Sequence, residues 1–207
     1  MRIISANVKG NAKDLTKIIQ DNPADVILLQ EVTMKEEDTL ALLAEKTGFT
    51  HHEFIECFDL SKDYGKGILQ EEPEKEGLGI LSKIPFTTKR IALTMTKGLD
   101  RWPRICALHD LAGIRLCNLH LSKHKISRDK EVKELPEADL YIGDFNMFPE
   151  EFLKHFGKYE NTYSSKKYTS FPEKGETLDY AASTRKIKDF YIIENNTSDH
   201  SFLCIEI

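Results

Sequence analysis

The chain has 207 residues, of which 40% are hydrophobic, and a formal net charge of −5. That length supports one substantial core rather than two complete domains, so a single α/β domain over 1–207 is expected. The net acidity excludes a protein that holds polyanions by global electrostatics, so any nucleic acid would have to be gripped by a local patch.

The first residues, Met1-Arg-Ile-Ile-Ser, run into a strand with no apolar leader, and no stretch is long enough to span a bilayer. A cytoplasmic, monomeric protein with no membrane insertion is expected. Cys57, Cys106, Cys117 and Cys204 lie singly in apolar contexts without the paired spacing of a zinc site, which predicts reduced core thiols.

In chain order, periodicity predicts a strand over 2–7, a helix over 12–20 and a continuous apolar strand over 25–31. Thr33 and Glu36 have capping-box spacing and are expected to open a helix through Leu40 and Leu43 that Gly48 closes. A strand follows over 51–58. Residues 59–75 carry Gly, Pro and many charges, and read as a surface excursion facing the substrate.

Strands are expected over 77–83, 86–95, 103–109 and 114–121, the last two joined by a turn at 111–113. Ser127 is expected to cap a short charged helix ending at Leu135. A buried strand from Asp139, a helix over 149–156 and strands near 177–182, 189–194 and 201–207 complete the chain. Two early βα units followed by successive strands predict two packed mixed sheets flanked by helices.

Polar residues recur at strand ends: Asn7, Glu31, His120, Asp144 with Asn146, Asp179, and Asp199 with His200. If the strands finish at one rim, these groups meet in a crevice at their carboxyl ends. Asp144 and Asn146, two residues apart, would then share a face while Phe145 turns to the core. Four gathered carboxylates repel one another and are costly to desolvate without a cation. Oxygen donors with a minority of imidazole and no thiolate favour Mg²⁺ or Mn²⁺, which points to phosphoryl chemistry.

The segments SANVKG, LLQEV, GLGILSK, NLHLS, IGDFN, TLDY and SDH occur in the order found in the endonuclease/exonuclease/phosphatase superfamily. The chain resembles DNase I, exonuclease III and the inositol-phosphate phosphatases from residue 3 onward. The resemblance implies a DNase I-like four-layer α/β sandwich. It implies that Glu31, with Asn7 and Asp199, holds the metal, that Asp144 addresses the attacking water, and that Asn146 steadies the phosphate. His200, held by Asp179, would bind a phosphate oxygen, and His120 would sit across the phosphorus. Glu76 matches a position that pairs with that histidine in the DNase I branch. Ala6, Lys9 and the pair Ala181-Ala182 depart from the pattern without removing a catalytic group.

Lys123, His124, Lys125, Arg128 and Lys130 crowd the segment after His120, and Lys166-Lys167-Tyr168 precede Phe171. Lys9, Lys123, Lys125, Arg128, Lys167 and Tyr168 are therefore the expected substrate contacts, since basic residues with aromatics suit a nucleic-acid backbone and a stacked base. The span between His120 and Asp144 is too short for an insert that probes a duplex, which argues against a dedicated abasic-site enzyme. The favoured reading is a Mg²⁺-dependent phosphodiester hydrolase, a nuclease acting as an endonuclease. The alternatives are a phosphatase or phosphodiesterase of a small-molecule or lipid ester, inositol-phosphate or sphingomyelinase-like, and a non-catalytic binding protein on the same fold.

Overall fold

The structure is a computed structural model that describes residues 1–10, 12–34, 38–59, 75–100 and 102–207. Its strands are β1 Arg2–Asn7, β2 Val26–Met34, β3 His51–Asp59, β4 Lys75–Ser82, β5 Thr87–Leu93, β6 Arg104–Leu111, β7 Ile114–His120, β8 Leu140–Asp144, β9 Glu160–Asn161, β10 Asp179–Ser183, β11 Asp189–Ile193 and β12 Phe202–Glu206. The helices are α1 Thr16–Asp21, preceded by a 3-10 turn at Ala12–Leu15, then α2 Thr39–Thr47, α3 Lys125–Glu134, α4 Pro149–Phe156 and α5 Thr162–Ser165. Two six-stranded mixed sheets run in the orders β11-β12-β1-β2-β4-β3 and β5-β6-β7-β8-β10-β9.

Strand alternation sorts the apolar residues into layers. One face of the first sheet sends Ile4, Ala6, Ile27 and Leu29 against Leu15, Ile19, Leu40 and Leu43 of the flanking helices. The opposite face packs Ile3, Val26, Leu28 and Ile80 against Ile105, Leu116, Leu140 and Ile142 of the second sheet. The outer face of the second sheet stacks Tyr141, Phe145 and Tyr180 on Phe152 and Phe156 of α4. The result is the DNase I-like helix–sheet–sheet–helix sandwich that the sequence implies.

Toward one end the inter-sheet layer changes from apolar to polar, strand by strand. In β1, Ile3 is followed on the same face by Ser5 and Asn7, and in β7, Leu116 by Asn118 and His120. In β8, Leu140 and Ile142 lead to Asp144, and in β10, Ala181 leads back to Asp179. The middle row is tied across the sheets: Gln30 Nε2 donates to Asn118 Oδ1 at 2.8 Å, and Asn118 Nδ2 donates to the Leu29 and Gly79 carbonyls at 3.2 Å each. These amides meet their buried hydrogen-bonding needs from one another and from backbone opened at a bulge.

Several local expectations are corrected. Thr33 lies inside β2, and α2 is capped instead by Asp38, whose Oδ1 accepts from Leu40 and Ala41 N at 3.0 Å each. Glu36, and nearly all of the 59–75 excursion, lie outside the described residues. Ser127 sits within the first turn of α3, whose N-cap is His124, with no side-chain capping bond. Asp179 and the Asp199-His200 pair precede or begin strands rather than ending them, because β10 and β12 run antiparallel to β8 and β1. The four cysteines are free; Cys106 and Cys117 pair in register with Leu119 and Leu108, diagonal to each other.

Candidate active site

The crevice is assembled by register. His120 of β7 is the parallel partner of Asp144, and Asp179 of β10 is its antiparallel partner, so three titratable groups stand in one row across three strands. Gly143, directly before Asp144, has φ of +144°, and a Cβ there would collide with the Leu119 carbonyl. Glycine is thus required for β7 and β8 to approach closely enough to set that row.

From the first sheet come Asn7 and Glu31. Residues Gln30 and Glu31 both oppose Leu78, since pairing jumps from Leu29–Gly79 to Val32–Gly77. At this bulge Glu31 takes φ of +55°, which re-aims a side chain that simple alternation would send to the helix face. Four non-glycine residues among those described have positive φ, and three of them, Lys9, Glu31 and Asn146, line one cavity. Backbone strain concentrated in this way is the signature of a constrained functional site.

Asn7 Nδ2 bridges the sheets, donating to Glu31 Oε1 at 3.0 Å and Asp144 Oδ2 at 3.1 Å. Asp144 is 2% exposed, and its Oδ1 accepts from Asn146 N at 2.8 Å. Burial, followed by the charge of Asp179, lifts its carboxyl to about 7. His200 Nδ1 lies 2.8 Å from Asp179 Oδ2, and its Nε2 lies 3.9 Å from Asp144 Oδ2. Burial opposes protonation of His200, but the Asp179 hydrogen bond and charge outweigh it and raise the imidazole to about 9.

His120 Nε2 lies 3.6 Å from both Glu31 Oε1 and Asp144 Oδ2, and is buried with no hydrogen-bond partner among the described residues. Its Nδ1 faces Arg104 Nη1 at 3.2 Å. A guanidinium only donates, so Nδ1 must accept and the neutral ring carries its proton on Nε2. Burial, then Arg104, holds this imidazole well below its ordinary value. The expected partner, Glu76, lines the same cavity as His120, but the Nδ1 contact is made by Arg104.

Glu31, His120 and Asp144 present ligand atoms within 4.8 Å of one another, as do Asp144, Asp179 and His200. Asp199 stands further out, its Oδ2 2.6 Å from Lys9 Nζ. Burial works against its ionisation, yet Lys9 and His200 prevail and lower it. The Asp199 loop is shaped by Asn195, whose Oδ1 accepts from Thr197 and Ser198 N, and by Ser198 Oγ, which donates to the Asn7 carbonyl at 2.7 Å. A buried carboxylate forced toward neutrality by a neighbouring carboxylate marks a site short of positive charge. The carboxylate and amide oxygens gathered here, with no thiolate, fit a hard divalent cation.

The expected contacts divide. Lys9 and Lys123 line the crevice. Lys125 pairs with Asp129 at 2.8 Å, and Lys167 is exposed outside the crevice. Arg128 is 5% exposed, with Nε and Nη2 on the Glu151 carboxylate at 2.9 and 2.7 Å and Nη1 on the Ser122 and Lys123 carbonyls. Arg128 lines the same crevice as Lys9 and Lys123, and its donors are committed to fixing α3 against α4. Tyr168 is likewise a brace: its hydroxyl donates to the Asp179 carbonyl at 2.7 Å and its ring packs on Phe190. Asn146 lies beyond β8, so strand alternation does not aim it; its Nδ2 donates to the Leu121 carbonyl at 2.9 Å. Phe145 is fully buried, as expected. Arg104 was missed; its signal was a lone cation opening the apolar strand that pairs with the His120 strand.

A sequence model described as the Endonuclease/Exonuclease/phosphatase family matches residues 4–200. The chain belongs to this family. Its members are hydrolases of phosphate esters. A sequence search of curated proteins finds no match. Among solved structures, a family protein from Beutenbergia cavernae superposes with TM-score 0.73 at 15% identity, covering 99% of this chain and 70% of that one. D. rerio TDP2 complexed with a single-strand DNA product gives 0.66 at 18%, covering 99% and 97%. The Bacteroides thetaiotaomicron mannosyl-6-phosphatase gives 0.67 at 16%, covering 100% and 98%. At these identities the likeness is one of fold. Among the described residues no helix is long and apolar enough to cross a membrane.

Proposed function

We propose that this family member is a divalent-metal-dependent phosphodiesterase that cuts nucleic acid endonucleolytically, with Asp144 addressing the attacking water. The observation that carries the reading is the division of the crevice. Glu31 and Lys123 line two adjoining cavities, one over Asp144, Asn146, Asp199 and His200, the other over His120 and Arg104. A phosphate seated between them has room for a substituent on both sides, which a diester fills and a monoester leaves half vacant. Neighbours of the fold include both a DNA-bound protein and a sugar phosphatase, and the paired cavities favour the diester.

The roles follow from the contacts. Asp144, lifted to about 7, suits a base that takes the proton of water near neutrality. His200, cationic up to about 9, donates Nε2–H to a phosphate oxygen, and Asp179 fixes its ring. Neutral His120 offers a second Nε2–H from the other cavity. A Mg²⁺ or Mn²⁺ ion held by Glu31, with Asn7 and Asp199, supplies charge neutralisation and Lewis-acid polarisation of a phosphate oxygen when bound. The test is a panel of initial rates in Mg²⁺ and in EDTA on single-stranded, duplex and circular DNA, RNA, inositol phosphates and mannose 6-phosphate. Metal-dependent nicking of circles is expected, and faster turnover of the monoesters would replace this reading with a phosphatase.

A further inference from the structure

Phe148 departs from two local rules at once. It stands at the N-cap of α4, where short polar side chains are favoured, and makes no side-chain capping bond. It is also 57% exposed, the most of any phenylalanine described, and its ring stacks on none of the described residues. The backbone is fixed on both sides of it. The carbonyl of fully buried Met147 accepts from Tyr180 Oη at 2.9 Å, and the Phe148 carbonyl accepts from Phe152 N at 2.9 Å.

Single exposed apolar side chains are ordinary on a protein surface. This one lines a cavity of about 310 Å³ with Lys123, Asp144, Asn146, Asp199 and His200, so it stands where the phosphate chemistry is placed. Departures from local preference collect at sites that work. A phenyl ring offers a π face and no hydrogen bond. Lys123 and Asp199 on the neighbouring walls would be stripped of water by an acyl chain that gives them no partner. A sugar would meet those walls with its hydroxyls and leave the ring bare. A nucleobase covers the ring with its face and keeps a polar edge for the walls.

We infer that Phe148 is a specificity-determining residue, on whose ring the base of a nucleotide joined to the scissile phosphate stacks. This rests on the nuclease reading above. Contact through a face alone tells a base from no base and is tolerant of which base it is.

The experiment follows fluorescence anisotropy as the full chain is titrated, in Mg²⁺ buffer, into two fluorescein-labelled phosphorothioate octamers that resist cutting. One is built of thymidine, and the other is base-free, with tetrahydrofuran in place of each nucleoside. The parent should bind the thymidine octamer more tightly. Phe148→Ala, shown folded by circular dichroism, should lose between ~5-fold and ~100-fold in affinity for the thymidine octamer and nothing for the base-free one. Phe148→Tyr should keep both affinities. A parent that does not prefer the thymidine octamer, or an alanine variant that loses equally on both or on neither, overturns the assignment. Cutting of an ordinary thymidine octamer is measured alongside, so the two readings fail separately. Cutting with base-blind binding sinks only the role of Phe148, and base-dependent binding without cutting sinks only the nuclease.

Discussion

Asp144 and Asp179 are register partners across β8 and β10, two buried carboxylates side by side, and His200 touches both, at 3.9 Å and 2.8 Å. The protein has placed like charges where neither water nor distance can relieve them. Work at the site is therefore expected to carry a measurable cost in stability.

Asp144→Asn makes that cost visible. Its folded carboxyl titrates at about 7 rather than near 3.8, so the associated stability is full below 3.8 and is lost as pH rises through 7. At pH 8 in EDTA the variant should melt higher than the parent, by at least ~2–4 °C for each kcal/mol recovered. Its kcat should fall ~10²–10⁴-fold with little change in KM. A variant that melts lower and still turns over normally would show that the carboxylate only shapes the turn.

Asp179→Asn should act through His200. Removing the partner that raises the imidazole to about 9 moves its deprotonation toward neutrality. The alkaline limb of the kcat profile, read between pH 6 and 10, should shift to lower pH. An unmoved limb would detach His200 from the reaction.

Arg128 and Lys123 should behave differently although both lie in the basic segment after His120. Arg128→Ala strands the buried Glu151 carboxylate and should cost about 3–5 kcal/mol in denaturant unfolding. Lys123→Ala should leave stability unchanged while raising KM for polynucleotides and lowering the salt-dependence slope by ~1. Equal stability in both variants would mean that the Arg128–Glu151 pair adds nothing to the fold.

His109 predicts acid sensitivity far from the chemistry. It is fully buried beside Thr88, and burial lowers its imidazole to about 4. Between pH 6.5 and 4 the unfolded chain binds the proton that the folded chain refuses, so stability declines as pH falls through that window. The slope contributed by this group approaches about 1.4 kcal/mol per pH unit. His109→Gln should flatten the decline, as followed by urea titrations across the window.

Most strands were legible because alternation and punctuation are local signals, and Asn7, Glu31, His120 and Asp144 were conspicuous as polar groups following apolar runs. What depended on distant geometry was not. Thr33 and Glu36 have the spacing of a capping box, yet Thr33 is held in β2 by pairing with Glu76, and Asp38 does the capping. Arg128 reads as one cation among several until α4 brings Glu151 beneath it. Asn146 and Asp144 share parity on paper, but β8 stops at Asp144 and a left-handed residue follows. Arg104 stands out only as a cation opening an apolar strand, and its contact with His120 is made when β6 pairs with β7.

The bulge in β2 sets Gln30 and Glu31 opposite a single residue, so one backbone irregularity serves two neighbouring side chains: Gln30 reaches the opposite sheet through Asn118, and Glu31 reaches the crevice. The strand consequently has a frame that cannot slip. Deleting one residue there would restore ordinary pleating and leave a single side chain opposite Leu78, so that either the Gln30 crossing between the sheets or the Glu31 carboxylate of the crevice is lost. Length in this short segment, as much as the identity of its residues, is what the activity of the enzyme requires.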